Sequence, residues 1–218
     1  MKIILFRGSG GLYNYMLGIL LYMQQNYNTS NYKYIGYSSG CFSALICCLG
    51  LDVKEMFYKW NIPMLKDIDS LQCKCYFNWN DYVKKYTLQN LPKNAYIKAS
   101  GKLFILVSII SNGKIKHKFF TKWYSNEDLV NCMIASSFIP FYDKCLLYKY
   151  RKYYCFDGGY VAKNISFNKC NFICNSDLFY KQNIKDFFCS SNINKSIYLF
   201  EKGFSDSYNN KNFFQKLI

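Results

Sequence analysis

The chain has 218 residues, 51% of them hydrophobic and 19% charged, enough apolar side chain to fill the core of one enzyme-sized domain. It carries a formal net charge of +15, eleven cysteines and one histidine, which excludes chemistry that needs several imidazoles. No run reaches the roughly 18 apolar residues of a membrane-spanning helix; the best, Leu103 to Ile110, reads as a buried strand.

In chain order, residues 2 to 6 predict a strand, Arg7-Gly8-Ser9-Gly10-Gly11 a loop, and residues 12 to 26 a helix. Glycines between a strand and a helix let backbone N–H groups turn toward a developing oxyanion, and the helix dipole adds partial positive charge, so Gly8, Gly10 and Gly11 are the candidate donors. A Walker loop is disfavoured because no lysine followed by Ser or Thr is present, and Tyr13 stands where a dinucleotide fingerprint has its last glycine. The apolar start is too short for a secretory h-region and runs straight into this loop, so a cleaved export signal is not expected.

The strand–turn–helix pattern repeats. A strand near residues 32 to 36 leads into Gly36-Tyr37-Ser38-Ser39-Gly40 and then a helix over 39 to 49. In a nucleophile elbow the serine sits on a strained turn and projects its hydroxyl above a helix N-terminus, with small residues letting the neighbouring backbone pass. Ser38 is the candidate nucleophile, and Gly36 and Gly40 support the turn.

The middle, Leu51 to Asn90, looks helical; Leu51 to Trp60 and Trp79 to Leu88 carry apolar residues at helical spacing, which suits either an acyl-channel wall or ordinary core packing. Strands near 102 to 110, 114 to 121 and 152 to 156 and helices over 126 to 136 and 195 to 216 complete the pattern. His117 lies in Lys114-Ile115-Lys116-His117-Lys118, an alternating stretch that reads as a solvated strand face where an imidazolium would be repelled. A base is then sought among the thirteen acidic residues, and Asp157 stands apart in Cys155-Phe156-Asp157-Gly158-Gly159, at the end of an aromatic run and before a tight turn formed by Gly158 and Gly159. Such a strand end lies at the sheet edge where open α/β folds gather reacting groups. A solvated aspartate, with a pKa of about 3.9, is a weak base, so partial burial must raise it. A carboxylate base predicts activity that persists below about pH 6, where a histidine base is protonated.

Alternating strands and helices predict an α/β fold, a three-layer α/β/α sandwich with a mainly parallel central sheet. Three prolines and no linker, repeat or low-complexity tract predict one domain over 1–218, with a motif-bearing core over about 1–165 and a C-terminal strand and helix extension over about 166–218.

A glycine-rich loop, a GxSxG elbow and an Asp-Gly-Gly turn, in that order, are the three motifs of patatin-like phospholipases, and the chain resembles that family over most of its length. Phe6-Arg7-Gly8-Ser9-Gly10 continuing to Tyr15 and Gly18, then Ala99-Ser100-Gly101-Lys102-Leu103 and Ala135-Ser136-Ser137-Phe138-Ile139-Pro140, looks most like the animal triglyceride-lipase (adiponutrin) branch. The resemblance implies a Ser–Asp dyad in place of a triad, with Ser38 as nucleophile and Asp157 as general base, and a lipid acyl hydrolase that needs no cofactor and works through an acyl-enzyme. Phospholipids, lysophospholipids, triacylglycerols and retinyl esters are all hydrolysed within the family, and acyl transfer is known there. Two departures stand out: Tyr13 replaces the family's final loop glycine, and the basic residue often found in that loop is absent.

An odd cysteine count without a signal sequence predicts reduced thiols and an intracellular protein, cytoplasmic or peripherally attached to a membrane. Cys47-Cys48, Cys73-x-Cys75 and Cys170-x3-Cys174 do not match zinc spacings, so no metal is expected and packing explains them. The basic charge, with the cluster from Leu146 to Tyr154, suits either a hairpin with a solvated face or docking of Lys149, Arg151 and Lys152 on an anionic membrane or lipid-droplet surface. Two alternatives carry different expectations: a catalytically silent lipid-binding or membrane-binding relative, and a basic nucleic-acid-binding protein. The intact dyad speaks against the first, and the lack of any recognised nucleic-acid motif, basic helix or arm speaks against the second, so no nucleic-acid partner is expected.

Overall fold

The computed structural model describes residues 2–71, 78–140, 145–181 and 192–217. It is a three-layer α/β/α arrangement around a seven-stranded sheet. The strands are β1 (Ile3–Phe6), β2 (Lys33–Gly36), β3 (Leu103–Ser111), β4 (Lys114–Phe120), β5 (Tyr148–Tyr150), β6 (Tyr153–Phe156) and β7 (Phe172–Cys174). Their order is β5-β6-β3-β2-β1-β7, with β4 also paired to β3. The pairs β1–β2, β1–β7 and β2–β3 are parallel, while β3–β4, β3–β6 and β5–β6 are antiparallel.

Strand alternation divides the core. Ile4, Phe6, Tyr34, Leu103, Ile105 and Val107 face the larger cluster, whereas Leu5, Ile35 and Leu106 face the smaller one. The larger cluster is covered by α1 (Tyr13–Asn26), α2 (Gly40–Leu49), α7 (Asn126–Ser137) and α9 (Ile193–Asn209); the smaller is covered by the single turn of α8 (Gly159–Ala162). The helices α1 and α9 cross backbone to backbone. A Cβ on Gly18 would lie 2.0 Å from the Phe200 carbonyl oxygen, and one on Gly203 would lie 2.1 Å from that of Tyr15.

The helical middle resolves into α3 (Val53–Glu55), a π-helical stretch (Met56–Asn61) and α4 (Ile62–Ser70), followed by α5 (Trp79–Asn90) and α6 (Ala95–Ala99). Two predicted helices begin or end differently. The first starts at Tyr13 because Gly10–Leu12 forms a tighter 3-10 turn, and the last stops at Asn209, after which Lys211–Leu217 is also 3-10. Among the described residues no helix is long and apolar enough to cross a membrane. The Cys73-x-Cys75 pair lies outside the described residues.

The Leu146 to Tyr154 cluster is a hairpin, β5 turning into β6 through Arg151, whose φ is 50°. Arg151 does not face solvent freely. Its Nη2 and Nε donate to the two oxygens of Asp128 at 2.6 and 3.3 Å, and its Nη2 also donates to the Lys122 carbonyl at 2.9 Å. This fork ties the hairpin to α7. Burial alone would raise the Asp128 carboxyl, but hydrogen bonds from Arg151, the Tyr124 N–H and Tyr150, with the guanidinium charge, outweigh it and hold the pKa below the ordinary value. A depressed folded-state pKa means stability that is full at neutral pH and is lost as pH falls below about 4. Asp128→Asn is therefore expected to cost about 2 kcal/mol at pH 7, a drop of roughly 4–8 °C in Tm, with the difference from wild type narrowing in melts as pH falls below about 4.

Candidate active site

Two strands run toward each other along one flank of β3. Ile105 pairs with Gly36 on one side and Phe120 on the other, and Ser108 pairs with Phe156 on one side and His117 on the other. Because β4 occupies one flank throughout, β2 and β6 must share the opposite flank. The parallel β2 ends at Ile105 and the antiparallel β6 ends at Ser108, leaving Leu106 and Val107 between them, a gap of roughly 10 Å from three strand steps. Ser38 leaves the end of one strand and Asp157 the end of the other. Asp157 thus reaches the site from the opposite direction to the parallel strands.

Ser136, at the end of α7, fills the gap. Its Oγ donates to the Leu106 carbonyl at 2.7 Å and accepts from the Ser38 N–H at 3.0 Å. Its carbonyl accepts from the N–H groups of Ser38 and Gly158 at 3.1 and 2.8 Å, and the Phe138 carbonyl accepts from the Asp157 N–H at 2.9 Å. From below, Ser108 Oγ donates to the Asp157 carbonyl at 2.7 Å. Neither Ser108 nor Ser136 stands out in the sequence as a positioning residue. Ser136 is visible there as part of the Ala135 to Pro140 resemblance, and its role depends on where α7 ends against the sheet.

With its backbone so held, Ser38 adopts a φ of 53°, the left-handed region that a side-chain-bearing residue occupies only under constraint. Its side chain is close enough to the Asp157 carboxylate to pull that group's pKa down, and Asp157 Oδ1 accepts from the Gly159 N–H at 2.7 Å. Burial raises the Asp157 pKa to about 6, against the opposing pull of both neighbours. The group is a carboxylate at neutral pH and a stronger base than a solvated aspartate. His117 is exposed on the edge strand β4, with its ring near Phe119.

The glycine loop packs directly on the elbow. A Cβ at Gly8 would lie 2.7 Å from Ser38 Cβ and 3.1 Å from Ser38 Oγ, so no side chain fits there. The loop is tied down by Ser39, whose Oγ accepts from the Ser9 N–H at 2.9 Å and bonds the Ser9 hydroxyl at 2.9 Å. The Ser9 N–H is thereby occupied, whereas among the described residues none accepts from the N–H of Gly10 or Gly11, both of which border the cavity beside Ser38. Tyr13, the departure from the family loop, also lines that cavity and meets Phe42 edge-on. Gly36 and Gly40 lie at the two sides of the elbow, Gly40 against the Phe6 carbonyl; Gly158 lies on the Leu106 carbonyl and Gly159 beside Asp157.

A cavity of about 120 Å³ opens at Ser38 and Ser39. Leu17 of α1 and Phe42 of α2 line it, together with Met56 and Trp60 of the π-helical stretch, Met64 and Leu65 of α4, and Trp79 and Val83 of α5. Both helical segments singled out in the sequence therefore contribute to its walls. Besides Ser38 and Ser39, its polar members include Asn14, Asn61, Asn80, Thr87 and Ser137. Among the described residues, no three or more His, Cys, Asp or Glu side chains converge as a metal-ligand group.

No protein-family model matches the chain. A stretch of 91 residues is 29% identical to 1-acylglycerol-3-phosphate O-acyltransferase PNPLA3 of Homo sapiens, covering 42% of this chain and 18% of that protein. The omega-hydroxyceramide transacylases of Homo sapiens and Mus musculus are each 23% identical over 168 and 166 residues, covering 73% of this chain and 30% and 27% of theirs. The chain spans less than a third of the length of these curated relatives. At this distance it is similar to enzymes named for moving acyl groups among lipids, in the same direction as its patatin-like motif order.

Proposed function

We propose that the chain is a serine lipid acyl hydrolase acting on carboxylic esters of phospholipids or acylglycerols. What supports this reading is the nearness of Ser38 to the buried Asp157 carboxyl, whose pKa it lowers, together with the largely apolar cavity that Ser38 borders. Ser38 Oγ attacks the ester carbonyl as Asp157 takes its proton; the oxyanion is received by the N–H groups of the Gly8, Gly10 and Gly11 loop. Collapse of the tetrahedral intermediate breaks the ester C–O bond, and Asp157 returns the proton to the departing alcohol. Water then repeats the sequence on the acyl-enzyme, with Asp157 again as base and the carboxylic acid as product. A lipid alcohol in place of water gives acyl transfer instead, a second reading favoured by the relatives' names.

Labelling by a fluorophosphonate is expected for wild type and not for Ser38→Ala. A silent lipid-binding protein or a nucleic-acid binder would leave wild type unlabelled. Asp157→Asn is expected to lower kcat by about 10²–10⁴-fold, while His117→Gln keeps wild-type turnover; loss of activity in the latter would sink the dyad.

Because Asp157 is raised to about 6, activity should rise through a midpoint near pH 6 and level off above it. This replaces the expectation that activity persists below pH 6, since burial moves the carboxylate into the histidine range, and His117→Gln now makes the distinction. A raised carboxyl pKa also costs stability once the group ionises. Asp157→Asn should therefore be more stable than wild type at pH 8, by up to about 3 kcal/mol, with the gain absent below about pH 4.

Peripheral docking on an anionic membrane or lipid-droplet surface belongs to the same reading. With Arg151 engaged by Asp128, the hairpin offers exposed Lys149 and Lys152 beside Tyr154, which is 54% exposed. Replacing both lysines with alanine is expected to weaken binding to anionic vesicles at low salt about 10- to 30-fold, with no change on neutral vesicles. Unchanged binding to anionic vesicles would reject the surface.

A further inference from the structure

The apolar cavity beside Ser38 contains a hydroxyl that a purely alkyl guest would leave stranded. Thr87 is 0% exposed and lines the cavity, and among the described residues its Oγ1 has no hydrogen-bond partner. It lies on the same face of α5 as Trp79 and Val83, which are eight and four residues before it. Valine at this position would have nearly the same shape and no desolvation cost, so a hydroxyl buried here is unfavourable unless something polar arrives. Asn14 of α1 and Asn61 of the π-helical stretch, which line the same cavity, are also buried, and Asn61 Nδ2 donates to Asn14 Oδ1. That bond uses one donor of Asn61 and the carbonyl of Asn14, leaving the Asn14 amide N–H groups and the Asn61 carbonyl oxygen to serve a guest. Three helices thus each bring a buried polar group to the same largely apolar space.

We infer that the cavity receives an acyl chain bearing a hydroxyl group, which bonds to Thr87 Oγ1 in a space that the Asn14–Asn61 pair also lines. The inference deepens the acyl-hydrolase reading by specifying the acyl chain, but its test needs no turnover. Two of the chain's three tryptophans, Trp60 and Trp79, line the cavity, so intrinsic fluorescence reports occupancy. Full-length Ser38→Ala protein is titrated with methyl esters of saturated C8 to C14 acids and of the same acids hydroxylated at successive positions.

One hydroxyl position is expected to bind about 3- to 10-fold more tightly than the unsubstituted ester. Ser38→Ala/Thr87→Val should cancel that advantage, and Ser38→Ala/Thr87→Ser, which keeps the hydroxyl, should retain it. Plain esters binding as well as every hydroxylated one would overturn the inference, since the Thr87 hydroxyl would then be served by water. So would an advantage that survives Thr87→Val, or a fluorescence signal that responds to no ester. Failure of fluorophosphonate labelling, by contrast, would remove the hydrolase reading and leave this binding difference measurable.

Discussion

The site depends on a few backbone hydrogen bonds made in a break in the sheet. Where β2 and β6 end against β3, the ladder stops, and the carbonyl of Leu106 and the N–H groups of Ser38, Asp157 and Gly158 would be left without partners. Ser136 and Phe138 satisfy all four from the end of α7. Buried main-chain polar groups are costly when unpaired, so this arrangement fixes both strand ends at once. The elbow and the acidic turn are held by the same short segment, and the Arg151–Asp128 fork keeps α7 and the hairpin bearing Asp157 in register with each other.

Rigidity here allows two locally unfavourable features. Ser38 holds a positive φ, and Asp157 holds a charge where solvent is scarce. Each would relax if the surroundings yielded: the serine by rotating its backbone, the carboxylate by taking up a proton or reaching water. The Gly159 N–H and the nearby Ser38 side chain hold the carboxyl pKa down against burial, which pushes it up to about 6. The one histidine is exposed on an edge strand, so under the proposed function the aspartate stands in for an imidazole base.

The cavity is assembled from a different part of the chain. Nine of its nineteen lining residues come from residues 56 to 87, between α2 and β3, and the π-helical turn places adjacent Trp60 and Asn61 both on the cavity. Ser38 and Asp157 sit at the strand ends and turns, whereas much of the cavity wall sits on the helical insertion. Changes in the cavity wall can therefore arise without disturbing the strand ends that carry Ser38 and Asp157.

The sequence by itself determined the α/β character, the elbow at Ser38, the glycine loop and the standing of Asp157, because each is a local pattern: a strand, a turn needing small residues, and a helix start. It also reduced the choice of base, since composition alone leaves one imidazole and thirteen carboxyl groups. Only the tertiary structure decided that Ser38 and Asp157 meet, that Asp157 arrives on an antiparallel strand, that Ser136 and Ser108 hold it, and that Arg151 is bound to Asp128. These facts join residues distant in sequence: Arg151 and Asp128 are 23 positions apart, Ser108 and Asp157 are 49 apart, and Ser38 and Ser136 are 98 apart. Local pattern fixes how each segment folds; burial of both sheet faces and satisfaction of every main-chain group at the break fix which segments end up side by side.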